Sequence, residues 1–138
     1  DTRIYKKVVL VDQSGRSILT NYKSHLAPDE SIGTARYSRV IATYNATKVT
    51  AYVCYDIHYP DIVERLKGRD VAYIPLSDPE YGYLQKQFHA ADSVIHARQA
   101  QTAVVLAGTD GPTMIINSNG IIVDRLIGNT TGFVGYSK

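Results

Sequence analysis

Two short apolar runs, DVAYIPLS at 70–77 and AVVLAGTDG at 103–111, bracket the clearest helical stretch of the chain, LQKQFHAADSVIHARQAQT at 84–102. Runs of this length and composition suit strands buried on both faces. Within the helix, Leu84, Phe88, Ala91 and Ile95 recur at helical spacing, the mark of an apolar face. The flanking segments carry strand and turn chemistry. VVLVD and SILTNY around QSG predict a first hairpin. Residues 37–44 and 48–55 around Asn45-Ala46 predict a second. After Pro60, DIVERLKG predicts a short helix, with Asp61 in its first turn and Gly68 at its C′ position. PTMIINSNGIIVDRLIG reads as a third hairpin around NSNG, and TGFVGYSK as a last short strand. The order hairpin, hairpin, helix, strand, helix, strand, hairpin argues for an α/β or α+β fold with a layered sheet–helix core.

Composition narrows the function classes. A chain of 138 residues that is 44% hydrophobic and 20% charged can bury one real core. A net charge of +2 without a basic run gives no nucleic-acid footprint, and RIYKK at 3–7 reads as a solvated strand edge. No apolar stretch approaches the roughly 20 residues of a membrane span. The chain opens DTRIYKK without methionine, so the expectation is a processed chain or an excised fragment. One cysteine leaves no disulfide framework and no cysteine-rich zinc site. His89 and His96, seven apart, share a helix face two turns apart, too far to chelate one ion directly, and no metal site is expected.

That single cysteine, Cys54, lies in VTAYVCYDIHYP at 49–60, where an apolar strand gives way to polar and aromatic residues. Free cysteines are among the most buried residue types, so a core thiol is one reading. The other is a nucleophile, because ligands in layered α/β folds gather at the carboxyl ends of strands. Alternation places Val49, Ala51 and Val53 on one side of that strand, with Thr50, Tyr52 and Cys54 on the other. A second stretch, NYKSHLAPDE at 21–30, puts Lys23, His25 and Glu30 around a loop, where solvated side chains are the plain reading.

Taken together, NYKSHLAPDE and VTAYVCYDIHYP resemble the carbon–nitrogen hydrolase (nitrilase) superfamily. DVAYIPLSD resembles the strand and loop that follow its nucleophile. FHAADSVIHARQAQTAVVLAGTDGPTMIINSNGIIV resembles its long helix, the next strand and the following hairpin. The likeness runs over nearly the whole chain in family order. The helix–strand–TDG portion looks most like apolipoprotein N-acyltransferases, and CYDIHYP looks as much like soluble amidases.

The resemblance implies a fold and a chemistry. The fold would be the C-terminal half of a nitrilase-like αββα sandwich, with residues 1–138 a partial domain. The chemistry would be a Glu–Lys–Cys mechanism without a cofactor. Cys54 would be the nucleophile. Lys23 would stabilise the oxyanion and lower the thiol pKa. Glu30 would be the auxiliary glutamate, and the Tyr55 backbone N–H a second oxyanion donor. Tyr81 and Tyr83 are offered as pocket residues, loop packing being their other reading. Asp56 and His58 are read as local structure. Two positions depart from the pattern. The general-base glutamate of the family lies upstream of the lysine hairpin and has no counterpart here. In HARQ, His96 and Gln99 replace an arginine and a glutamate.

The expected partners are a small amide, nitrile or acyl donor, with a second copy or the missing N-terminal half covering exposed apolar surface. No nucleic acid is expected, and the membrane enters only through segments outside this sequence. An amidase-like parent would be cytoplasmic; a lipoprotein acyltransferase would face the extracytoplasmic side. Two further readings are a non-catalytic nitrilase-like module for binding or assembly, and a generic α/β domain with a buried thiol.

Overall fold

The computed structural model describes residues 4–34, 40–79, 81–126 and 131–135. The first hairpin pairs β1 (Lys7–Val11) with β2 (Ser17–Tyr22). Its turn is closed by Asp12, whose Oδ1 accepts from the N–H groups of Ser14 at 2.9 Å and Arg16 at 3.0 Å. The other strands form one six-stranded sheet in sequence order: β3 (Ala42–Tyr44), β4 (Thr47–Ala51), β5 (Val71–Ser77), β6 (Ala103–Thr109), β7 (Met114–Ile116) and β8 (Ile122–Arg125). The centre β4-β5-β6 is parallel and both flanks are antiparallel hairpins.

Two crossovers join the parallel strands. One holds a 3₁₀ turn (Cys54–His58) and α1 (Ile62–Leu66); the other is α2 (Tyr83–Ala100). Both helices pack on the same face of the sheet, as right-handed crossovers require. There Ala72, Ile74 and Leu76 of β5 and Val104 and Leu106 of β6 meet Ile62, Leu66, Ala97 and Ala100. On the other face, Ala51 and Val53 pack against Val8 and Leu19 of the β1–β2 hairpin. β4 is therefore covered on both faces, and its alternation sorts Tyr52 into one core and Ala51 and Val53 into the other.

The architecture agrees with the layered α/β expectation, and several details correct it. β5 is buried on one face only: Ala72, Ile74 and Leu76 are enclosed while Tyr73, Pro75 and Ser77 are exposed. An apolar run records that a strand is half-buried or better; it does not record which faces a second layer covers. The α2 stripe is reversed. Leu84, Phe88 and Ile95 are between 50% and 71% exposed, and Ala91 is also exposed. The helix instead buries His89, Ser93, His96, Ala97 and Ala100. Small side chains at 93, 97 and 100 let the helix backbone approach the sheet, and that geometry decided the inner face. The strand predicted at 48–55 ends at Ala51, four residues early. Within the predicted 37–44 strand, β3 covers 42–44, and residues 35–39 lie outside the described residues. The last predicted strand has no regular structure over 131–135, and 136–138 lie outside the described residues.

The local signals that succeeded did so for backbone reasons. Gly68 ends α1 with φ +75°, a left-handed conformation that glycine adopts without a Cβ penalty. Asn45 and Ala46 form a two-residue turn with φ +49° and +63°, the primed geometry that matches strand twist. Alanine is poor at this conformation, which costs an L-residue roughly 1–2 kcal/mol. Ala46→Gly is expected to stabilise the chain by about 1 kcal/mol in urea unfolding. A neutral or destabilising result would show that the turn relaxes out of this geometry.

Candidate active site

The cleft of interest opens at the carboxyl ends of β4 and β5, because β4 stops before its neighbour does. The last β4 bond is Tyr52 N–H to the Tyr73 carbonyl, 3.0 Å. Beyond it, the β4-facing edge of β5 has no strand partner. Pro75, with no N–H to offer, falls on that edge, where proline is tolerated. Two residues on, Ser77 presents its N–H to the Cys54 sulfur.

Cys54 has φ +47° and opens the 3₁₀ turn directly after the strand segment. A left-handed cysteine costs roughly 1–2 kcal/mol. Strain of this kind concentrates at functional sites, and a sharp strand-to-helix turn is a known way to expose a nucleophile. The thiol is half-buried and lines a cleft of about 500 Å³ together with Val53, Leu76, Asp78, Glu30 and Tyr81. Tyr55, the second residue of the turn, carries one of the leading N–H groups that have no intrahelical acceptor.

Lys23 follows β2 and is 1% exposed. Its ammonium is ion-paired to Glu30 and lies 5.9 Å from the Tyr55 ring centre. Glu30 also pairs with Lys6 and accepts the Ala27 N–H at 2.8 Å. Burial alone would raise its carboxyl pKa; the bonds from Lys23, Lys6 and Ala27 outweigh burial and hold it at about 2. Lys6, part of the segment read as a solvated edge, is thus a cleft residue. The structure brings Cys54, Lys23 and Glu30 to one site.

Asp56 is more than local structure. It is buried, and Oδ1 accepts the N–H groups of Ser24 at 3.1 Å and His25 at 2.8 Å, with His25 Nδ1 at 3.2 Å. Oδ2 accepts the Val53 N–H at 3.2 Å. One carboxylate therefore ties the lysine loop to the cysteine turn. Asn21 adds a second tie, its Nδ2 donating to the Ala51 carbonyl at 2.8 Å. The only sequence signal for this role is an acid two residues past the cysteine, which fits any short turn equally well. His58 accompanies it, 2.6 Å from Asp92 on α2. His96 is buried and reaches the Ile57 carbonyl, while Gln99 faces solvent, so the two do not pair. Tyr81 lines the cleft; burial, reinforced by Asp29, Cys54, Glu30 and Asp78, pushes its hydroxyl to about 12 and keeps it a donor. Tyr83 lies on the first turn of α2, 76% exposed and outside that cleft.

The expectation that Lys23 lowers the thiol pKa needs correction. Burial pushes Cys54 up. The Ser77 N–H and Lys23 oppose this, but Asp78 and Glu30 add to it, and the net direction is upward. Lys23 is already neutralised by Glu30, and the Asp78 carboxylate lies 4.0 Å from the sulfur. Alkylation of Cys54 is thus expected to accelerate only above the ordinary thiol pKa of about 8.5. Asp78→Asn, which removes the nearby negative charge, is expected to shift that profile to lower pH. An unchanged profile would discount the Asp78 charge.

Two stability outcomes follow from the same geometry. Asp56→Ala leaves three N–H groups, one buried and two half-buried, without their acceptor and is expected to cost about 2–4 kcal/mol in urea unfolding, with Asp56→Asn recovering part. A loss below about 1 kcal/mol would show that the loop is held elsewhere. Glu30 has a folded pKa of about 2, below its ordinary 4.5. Its ionised pairs therefore stabilise the fold above about 4.5, and this contribution is lost as pH falls towards 2. Glu30→Gln should flatten that acid limb in unfolding measured across pH.

The comparisons with known proteins agree with this fold. The carbon–nitrogen hydrolase family model matches residues 1–136. A carbon–nitrogen hydrolase from Helicobacter pylori G27 superposes with a TM-score of 0.74 at 14% identity, over 88% of this chain and 53% of that one. Nit3 of Saccharomyces cerevisiae, from branch 10 of the nitrilase superfamily, superposes at 0.75 with 18% identity, over 90% and 49%. A mutant amidase from Nesterenkonia sp. AN1, with acrylamide added to its active-site cysteine, superposes at 0.71 with 16% identity, over 87% and 52%. The chain spans about half the length of these structures. No curated protein matches it by sequence. At such identities the superpositions establish the nitrilase fold, and the match along 1–136 establishes that this chain belongs to the carbon–nitrogen hydrolase family.

Proposed function

We propose that this chain carries the nucleophile half of a thiol-dependent amide hydrolase. The observation that carries the proposal is the strained cysteine at the end of a parallel strand, sharing one cleft with the partners of a fully buried lysine. Cys54 sulfur would attack the carbonyl carbon, forming a C–S bond as the π pair moves to oxygen. Lys23 and the Tyr55 N–H are the donors assigned to that oxygen, and a preorganised donor is worth roughly 3 kcal/mol in such sites. Collapse breaks the C–N bond, and the amine leaves with the proton taken from the thiol. The resulting thioester is then opened by water, which returns the thiol. The family resemblance assigns the proton carrier to a glutamate upstream of the lysine hairpin. Glu30, held ionised between two lysines, is assigned to positioning Lys23. The Nesterenkonia amidase lends its class to this reading, and its active-site cysteine is nucleophilic enough to add to acrylamide by Michael addition.

Two variations stay within this reading. An amine in place of water would make the same acyl-enzyme an N-acyltransferase. A nitrile is attacked at the equivalent carbon. No helix among the described residues is long and apolar enough to cross a membrane. The exposed row Leu84, Phe88 and Ile95 on α2 supports association with a second copy. Phe88→Glu is expected to shift the chain towards monomer in light scattering. A variant that matches the parent species would remove this row from the interface.

A non-catalytic module is the second reading, favoured by the raised thiol pKa and by neutral His96 and Gln99. The two separate in the full-length protein incubated with a panel of simple amides and activated esters. The catalytic reading expects an acyl adduct on Cys54 by mass spectrometry, none in Cys54→Ala, and a 10²–10³-fold lower kcat in Lys23→Met, on the order of other lost oxyanion donors. Adduct-free protein, with Cys54→Ala indistinguishable from the parent in every assay, would favour the module.

A further inference from the structure

Three side chains from three elements converge at the cleft: Cys54 and Asp78 line it, and His89 is buried behind them. Cys54 follows β4, Asp78 is the first residue past β5, and His89 lies two turns into α2. One ligand atom from each lies within 4.8 Å of the others. Cys54 Sγ is 4.0 Å from Asp78 Oδ1, and His89 Nδ1 is 3.5 Å from Asp78 Oδ2.

Asp78 and His89 are both fully buried, and both are short of partners. Among the described residues, Asp78 Oδ2 and the two ring nitrogens of His89 have no hydrogen-bond partner. The Gln85 carbonyl, one turn back, sits beside the imidazole without meeting hydrogen-bond geometry. Each such orphan costs roughly 1–3 kcal/mol, so a fold that keeps them side by side has a use for their lone pairs. The arrangement is also braced. Gly111 packs so tightly on Asp78 that a Cβ there would stand 2.6 Å from Oδ2, which keeps the carboxylate turned into the cluster. The His89 ring packs beside His58, ring centres 4.2 Å apart.

A thiolate, an imidazole and a carboxylate at these separations match one ligand class. Tetrahedral ligands on a zinc-sized ion stand roughly 3.3–3.7 Å apart, given bonds of about 2.0–2.3 Å. The His89–Asp78 pair already has that spacing, and Cys54 stands slightly outside it, 4.0 Å from the other Asp78 oxygen and within 4.8 Å of the set. We propose that Cys54, Asp78 and His89 form a three-ligand site for a thiophilic divalent cation of the zinc class, with the fourth position open to the cleft, and that the bound ion caps the Cys54 thiol. On binding, the S–H bond breaks, a sulfur–metal bond forms, and one proton passes to solvent. No electrons are transferred. Mixed sulfur, nitrogen and oxygen donors select zinc, cobalt and cadmium over magnesium and calcium. The cation meets two negative ligands, and the nearby Lys23 charge is offset by Glu30. Local spacing pointed away from any metal because it tested histidines on one helix. This set is assembled across 24 residues from Cys54 to Asp78 and across a crossover from Asp78 to His89.

The test uses the full chain and reads binding, so it stands apart from the proposed turnover. Cobalt(II) chloride is titrated into the reduced protein. The expected result is one ion per chain with a thiolate-to-cobalt charge-transfer band in the near ultraviolet. Zinc chloride should displace cobalt and slow Cys54 alkylation at least tenfold, with EDTA restoring the rate and magnesium having no effect. His89→Asn and Asp78→Asn should each weaken binding by at least about 100-fold, since losing a ligand costs more than the roughly 10–100-fold lost when a residue that only orients a ligand is changed. No charge-transfer band in the parent protein overturns the proposal, and that measurement does not depend on any variant folding. An alkylation rate unchanged at saturating zinc also overturns it. So does undiminished cobalt affinity in both folded variants, which would leave the orphaned atoms to an ordered water.

Discussion

The Asp56 carboxylate is the constraint on which the site depends. It accepts N–H groups from two segments that belong to different sheets, Ser24 and His25 after β2 and Val53 after β4. A buried carboxylate is costly to desolvate, and burial pushes Asp56 up despite these bonds. Its value is geometric. Without it the lysine loop and the cysteine turn are two surface segments with no covalent reason to meet. With it, Lys23 is enclosed against the turn that carries Cys54, and the small hairpin core around Val8, Leu19, Ala51 and Val53 is closed at its end.

The sheet supplies the space for chemistry by stopping unevenly. β4 ends at Ala51 while β5 continues to Ser77, so the cleft is the absence of one strand beside another. Residues that look anomalous within an apolar run fit this reading. Pro75 is acceptable on the unpaired edge, and the Ser77 N–H is left to face sulfur. The helix layer is asymmetric in the same way. Small residues of α2 face the core and its large apolar residues face outwards, as does the far face of β5. Surface of that kind is where further layers and further chains attach.

Electrostatics in the cleft are arranged around stored mismatch. Cys54 is held in a left-handed conformation and its thiol is kept protonated, while Glu30 is held ionised by two lysines. Asp78 Oδ2 and the His89 ring nitrogens are enclosed without a hydrogen-bond partner among the described residues. Local rules for backbone conformation and polar satisfaction fail at these positions and hold through most of the scaffold, the pattern expected where function opposes stability.

By itself the sequence determined the element types, the hairpin turns and the ordered motifs that placed Cys54, Lys23 and Glu30 in one family pattern. Those features are local: Gly68 at a helix end, Asn45-Ala46 at a turn, alternation along β4. The tertiary structure decided everything that depends on what lies across from a residue. It turned the Leu84–Phe88–Ile95 stripe outwards, because helix orientation follows the closest backbone approach to the sheet rather than the most apolar side chains. It made Asp56 a clasp and Lys6 a cleft residue through partners some 24 to 32 positions away. It reversed the expected direction of the thiol pKa, because burial and two carboxylates outweigh one lysine that is already paired. Periodicity and turn chemistry act over a few residues, whereas charge, burial and ligand geometry are sums over neighbours that only the folded chain brings together.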